Sequence, residues 1–141
     1  MPTNRYLKLT LPLRLRVGKT KKCKEYALNL NIYRNMHYLV LSAMKIKFAE
    51  MVKDLLGSVS SPTVLMFKKP YVRYNFYTGS RRTTDMMNWV AVIDKFLMDA
   101  LVEHNVIRDD NVEVIHDVHI KYKGMDLGKE RLEIELEEDY E

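Results

Sequence analysis

Residues 83–111 read TTDMMNWVAVIDKFLMDALVEHNVIRDDN, and their apolar positions recur with the period of a helix. With Trp89 at zero and about 100° per residue, Ile93, Phe96 and Ala100 fall within about 40° of it and form a core stripe. The spacing predicts a helix over Met87–Glu103. Asn88, Lys95 and Asp99 fall together on one flank. Ala91, Met98 and Val102 lie opposite the core stripe, so the helix is apolar on two sides. Such a helix is expected to be buried against a partner subunit or a second layer of the same chain.

Working outward, VLMFKK (64–69) and YVRYNFYT (71–78) are β-rich runs separated by Pro70. A basic turn, GSRR (79–82), leads into the helix. Beyond it, VEVIHDVHIKY (112–122) and RLEIELEE (131–138) read as strands around a hairpin loop, KGMDLGKE. Towards the N-terminus, Leu41, Met44, Phe48, Met51 and Leu55 predict a helix over His37–Leu56, with Gly57 as its stop. Tyr6–Leu15 alternates as a strand does, and Pro12 marks it as an edge strand or its end. The lysine-rich segment Val17–Asn35 has no regular period and is expected to be a long surface loop. This order predicts an α+β fold, one domain over 1–141, with two main helices packed on a mixed sheet of four to five strands.

The chain has 141 residues and a single cysteine, Cys23. That excludes an internal disulfide and a four-cysteine zinc site, and points to a reducing compartment. No stretch approaches the roughly 18 apolar residues of a membrane span, and the first residues lack the apolar core of a signal peptide. A cytoplasmic protein without membrane contact is the expectation.

The net charge of +4 hides a division. Residues 1–82 hold 17 Lys and Arg against 3 Asp and Glu, while residues 83–141 hold 6 against 16. A basic half of this kind attracts polyanions.

Asp85 precedes the second helix, and Asp109 and Asp110 follow it. If the loop folds back, carboxylates distant in sequence meet, and two of them ~4 Å apart repel by about 4 kcal/mol at an effective dielectric of 20. A divalent cation relieves that, and magnesium is often held by one or two carboxylates plus phosphate oxygens. Basic residues beside such a pair suit phosphodiester hydrolysis. The alternative is that Asp85 caps the helix, Asp109 and Asp110 shape a turn, and Asp99 is solvated. His116 and His119, three apart on an expected strand, point to opposite faces and make a poor metal pair.

The string DMMN followed by DKFLMDALVEHNVIRDDN resembles the signature of the RusA family of Holliday junction resolvases. There a D-x-D-N cluster precedes a helix with a lysine and a D-A-L, and the second member of a D-D pair stands eleven residues after that aspartate. Here Asp99, Ala100 and Leu101 supply the D-A-L, and Asp110 stands eleven residues after Asp99. Upstream, Asn29, Asn31, Tyr33 and Arg34 resemble the family's asparagine and Tyr-Arg loop, and Arg81 and Arg82 its basic run. Two departures stand out. The family's second aspartate falls on Met87, and its lysine falls on Lys95 counted back from Asp99 but on Ala91 counted forward from Asp85. About four extra residues, roughly one helical turn, separate the landmarks, and Asp94 is the candidate replacement carboxylate.

The resemblance implies a RusA-like fold and a homodimeric, magnesium-dependent endonuclease acting on four-way DNA junctions. Asp85, Asp110 and Asp94 would be metal ligands and catalytic, with Lys95 beside the scissile phosphate. Arg34, Arg81, Arg82, Asn31 and Tyr33 would contact DNA, and Asn88, Asp99 and Asp109 would support the site. The competing expectations are a non-catalytic nucleic-acid-binding module and an interaction module whose basic and acidic halves pair between subunits.

Overall fold

The computed structural model describes residues 4–18, 20–58 and 66–139. In chain order these form β1 (Asn4–Leu11), β2 (Arg14–Val17), β3 (Lys24–Ala27), α1 (Leu30–Arg34), α2 (Tyr38–Ser58), β4 (Tyr71–Thr78), α3 (Met86–Glu103), β5 (Val118–Met125) and β6 (Arg131–Asp139). A four-stranded sheet has the order β1-β6-β4-β5, and β2 pairs with β3 in a separate ribbon. The β4–β5 pair is parallel and the others are antiparallel, so the main sheet is mixed. The fold is α+β, as the order of elements predicts.

Strand alternation sets the layers. Leu7, Leu9 and Leu11 of β1, Leu132, Ile134 and Leu136 of β6, and Val72, Tyr74 and Phe76 of β4 are all buried on one face. They join Val90, Ile93 and Leu97 of α3 and Met44, Phe48 and Val52 of α2 in one core. Each such side chain contributes roughly 1.5–3 kcal/mol by leaving water. The other face carries Glu133, Glu135 and Glu137, ion-paired with Lys8, Arg73 and Arg131. Helix α3 connects the parallel strands β4 and β5, and α2 packs on its far side. That covers part of its second apolar side within a single chain: Met98 is only 3% exposed, while Val102 is half-buried and Ala91 exposed. Charging Met98 would therefore damage the fold and report nothing about a dimer.

Four expectations are corrected. The run Tyr6–Leu15 is two strands, because Pro12 brings no N–H to the ladder and the chain leaves the main sheet there. The segment Val17–Asn35 contains β3 and α1: Leu28 N–H donates to Leu13 O at 2.8 Å, and Asn29 caps α1 through its side chain. Gly57 lies inside the last turn of α2 rather than ending it. The hairpin around residues 123–130 is not formed, because β6 lies on the opposite side of β4 from β5. The connecting loop instead crosses the end of β4, with Asp126 N–H on Thr78 O and Gly128 N–H on Gly79 O, both at 2.8 Å. Gly128 has φ +71° there, a left-handed conformation that glycine adopts without strain.

Two strand predictions are shortened. Of the run 64–69, residues 64 and 65 lie outside the described residues, and Phe67 makes an isolated bridge to Ile107. The run 112–122 becomes a strand only at Val118. Before it, Val114 and Ile115 N–H close a helix-like turn on Asn111 O at 3.1 and 2.8 Å, which swings Val114 into the core.

Candidate active site

Met87, Ala91, Asp94 and Met98 are spaced by four, three and four residues, which puts them on one stripe of α3. That stripe walls a cavity of about 170 Å³, closed on the other side by Tyr74 of β4, Val118 and Ile120 of β5, and Ile115 and Asp110 of the intervening loop. The structure thus brings Asp94 and Asp110, sixteen residues apart, to one cavity.

Asp94 is half-buried and accepts a hydrogen bond from the Tyr74 hydroxyl. Burial pushes its carboxyl above the ordinary carboxylate range; the Tyr74 hydrogen bond opposes this, and the charge of Asp110 adds to it. The Tyr74 phenol is itself held well above its ordinary value, first by burial and then by the charge on Asp94. Asp94 therefore binds its proton more tightly folded than unfolded, and stability falls as pH rises from the unfolded value through the folded one. Asp94→Asn keeps an acceptor for Tyr74 and removes the buried charge. It is expected to raise the melting temperature at pH 7 in metal-free buffer, with the gain shrinking as pH falls through the carboxylate range. Thermal melts of both proteins across pH check this.

The other predicted site residues are placed elsewhere. Asp85 is the N-cap of α3, its side chain accepting from Met87 N–H at 3.1 Å, and it does not line the cavity. Asp109 shapes the loop, accepting from Asp110 N–H at 2.7 Å and Asn111 Nδ2 at 2.9 Å. Asp99 is exposed. The Lys95 ammonium lies 6.0 Å from the Tyr33 ring centroid, on the side of α3 that faces α1. The backward count from Asp99 thus finds a lysine that the fold does not bring to the carboxylates.

A second cleft, of about 470 Å³, opens on the other flank of the α3 N-terminus. Asn29, Asn31, Arg82 and Asn88 line it, together with Arg14 and Trp89. Trp89 Nε1 donates to Thr84 Oγ1 at 2.9 Å, and the Arg14 guanidinium lies 5.8 Å from the Trp89 ring centroid. Arg81 and Arg82 also border an adjoining hollow with Tyr122 and Met125. Arg34 ends α1 and is exposed. Cations and amides therefore cluster at the N-terminal end of α3, with Glu130 the carboxylate among the residues lining the cleft, held by Arg14 at 3.2 Å.

No protein-family model matches the chain, and no curated protein matches it. No helix among the described residues is long and apolar enough to cross a membrane.

Among the described residues, no group of three or more His, Cys, Asp or Glu side chains is placed to hold a metal ion. A pair of carboxylates is nonetheless a donor set that fits magnesium, which takes hard oxygen ligands and keeps several waters. Burial is the main cause of the raised Asp94 carboxyl and the charge of Asp110 only adds to it, so the fit to a cation rests on the two carboxylates sharing one cavity. Sequence reasoning misses Tyr74. Its signal is a tyrosine between Val72 and Phe76 on the inward face, which brings a hydroxyl that needs a buried partner.

Proposed function

We propose that this protein is a magnesium-dependent, structure-selective endodeoxyribonuclease of the RusA type that resolves four-way DNA junctions and acts as a homodimer. The observation that carries the reading is the meeting of Asp94 and Asp110 in one cavity. Met87, where the family's second aspartate would stand, lies on the same stripe of α3, so Asp94 offers its carboxylate to the same cavity two turns further on. This is how the departure from the family pattern is repaired. A two-fold junction cut on opposed strands suits a two-fold enzyme.

Asp94 and Asp110 would hold the ion, which when bound supplies an activated water and neutralises charge on the scissile phosphate. Tyr74 orients Asp94 and keeps one of its oxygens engaged. Buried Met98 and half-buried Ile115 and Ile120 make the back of the cavity apolar, which strengthens the electrostatics there. Arg81 and Arg82 present charge to neighbouring phosphates, and Asn31 and Asn88 present amides; Arg14 is ion-paired with Glu130 at 3.2 Å.

Incubating the pure protein with a labelled four-way junction and a linear duplex, with and without magnesium, tests the reading. Paired nicks in opposed strands of the junction, dependent on magnesium, are expected. Junction binding without any cleavage would establish the non-catalytic binding module instead, a reading favoured by the capping role of Asp85. Lys95 discriminates between sequence pattern and geometry. Since it faces Tyr33, Lys95→Ala should leave the single-turnover cleavage rate within about threefold of wild type, a change below about 0.7 kcal/mol in barrier. A much deeper loss in single-turnover assays would return Lys95 to the scissile phosphate.

A further inference from the structure

The loop between α3 and β5 has two sides. Asp110 and Ile115 face the carboxylate cavity, while Arg108 and His116 face a separate depression of about 810 Å³ that Lys68 and Lys69 border from across the groove. Its apolar floor is Phe67, tied to the loop by Phe67 N–H on Val106 O at 2.8 Å, with Val112 at the rim, 79% exposed.

The charge of this depression is one-sided. Among the described residues, Glu113 is the one carboxylate lining it; it meets Arg108 at 3.8 Å and offsets one of the three cationic side chains, so Lys68 and Lys69 carry the excess positive charge. Glu138 accepts from the backbone N–H groups of Lys68 and Lys69, and neither lysine ammonium has an ion-pair partner among the described residues. The depression therefore selects a polyanion. A nucleic-acid backbone fits better than an acidic peptide, because only one chain segment separates these cations from Asp110.

We infer that this depression holds backbone phosphates of the nucleic-acid strand presented to Asp94 and Asp110. The inference rests on the nucleic-acid part of the proposed function and goes beyond it, since none of these cations belongs to the basic loops picked out by sequence. An 18-residue helix is about 27 Å long. The arginine loop at one end of α3 and this depression at the other would span about eight nucleotides at roughly 3.4 Å each, with the carboxylates between them.

The test is a salt titration of junction binding by the full chain in metal-free buffer. Lys68→Ala/Lys69→Ala/Arg108→Ala is expected to lower the magnitude of the log K against log salt slope by about 2–3, at roughly 0.9 for each phosphate that is no longer neutralised. Its melting curve should match wild type, because all three side chains are exposed. Lys68→Glu/Lys69→Glu should weaken junction binding by at least about tenfold. An unchanged slope in the folded triple variant overturns the inference. So does a labelled polyglutamate peptide that binds wild type but not the triple variant while junction affinity is equal in both, which would make the occupant an acidic protein. A wild type that binds with the expected slope change but never cuts leaves this surface standing and removes the nuclease reading. A wild type that cuts, beside a triple variant that binds normally, does the reverse.

Discussion

Asp94→Asn is expected to lower the rate of junction cleavage in magnesium by at least about 100-fold, or about 2.7 kcal/mol in barrier, with junction affinity unchanged or higher. The substitution keeps the size of the side chain and the acceptor that Tyr74 uses, so the cavity wall is preserved. It removes one of two carboxylates, and with it the hold on an ion that supplies both the activated water and charge neutralisation. Affinity should not suffer, because a negative charge facing the phosphate backbone has been deleted. Asp110→Asn should behave alike. Asp85→Asn is the informative contrast: asparagine caps helices about as well as aspartate, so cleavage there should stay within a few-fold of wild type. Single-turnover rates and metal-free binding constants for the three variants decide the matter. Normal cleavage by both Asp94→Asn and Asp110→Asn would remove the cavity from the chemistry.

The contrast between Asp94 and Asp85 also shows where sequence reading stops. Helix α3 is legible because its apolar period runs for five turns, and β4 and β6 because their alternation is regular. The segment Val17–Asn35 is not, because a four-residue strand and a five-residue helix carry too few periods to register. The apparent hairpin at residues 123–130 misleads for a different reason. Local turn chemistry there is compatible with a hairpin, but the three leucine and isoleucine side chains of β6 are matched by both β1 and β4, and a strand buried between two neighbours is claimed by them rather than by the strand before it in sequence. For the site, each aspartate can be nominated from spacing, yet which of them meet depends on helix phase and on the path of the loop 104–117. Phase alone shows that Asp94 and Lys95 diverge by about 100°. It does not show that the Asp94 side faces Asp110 while the Lys95 side faces Tyr33.

Phe96→Ala is expected to cost about 3–5 kcal/mol and to lower the melting temperature by roughly 10–20 °C, at about 4 °C per kcal/mol for a domain of this size. Phe96 is 2% exposed and is where three helices meet. Its ring stacks at a tilt on Phe48 of α2, centroids 5.6 Å apart, and takes Tyr33 of α1 edge-on at 6.1 Å. Each aromatic pair is worth about 0.5–1.5 kcal/mol beyond the area it buries, and the alanine leaves a hole that α3, fixed between the sheet and α2, cannot close. Differential scanning calorimetry reads the loss; a drop under about 4 °C would mean that the three helices are held together in other ways. The functional consequence is selective. Helix α1 has only five residues, too short to be stable alone, and without the Phe96 edge Asn31 and Arg34 lose the anchor that aims them. Junction affinity should fall even well below the transition temperature. Asp94 projects about 200° around α3 from Phe96, towards the sheet edge rather than towards α1. At saturating junction the variant should therefore cut at close to the wild-type rate, which would separate the binding face of α3 from the face that carries the carboxylates.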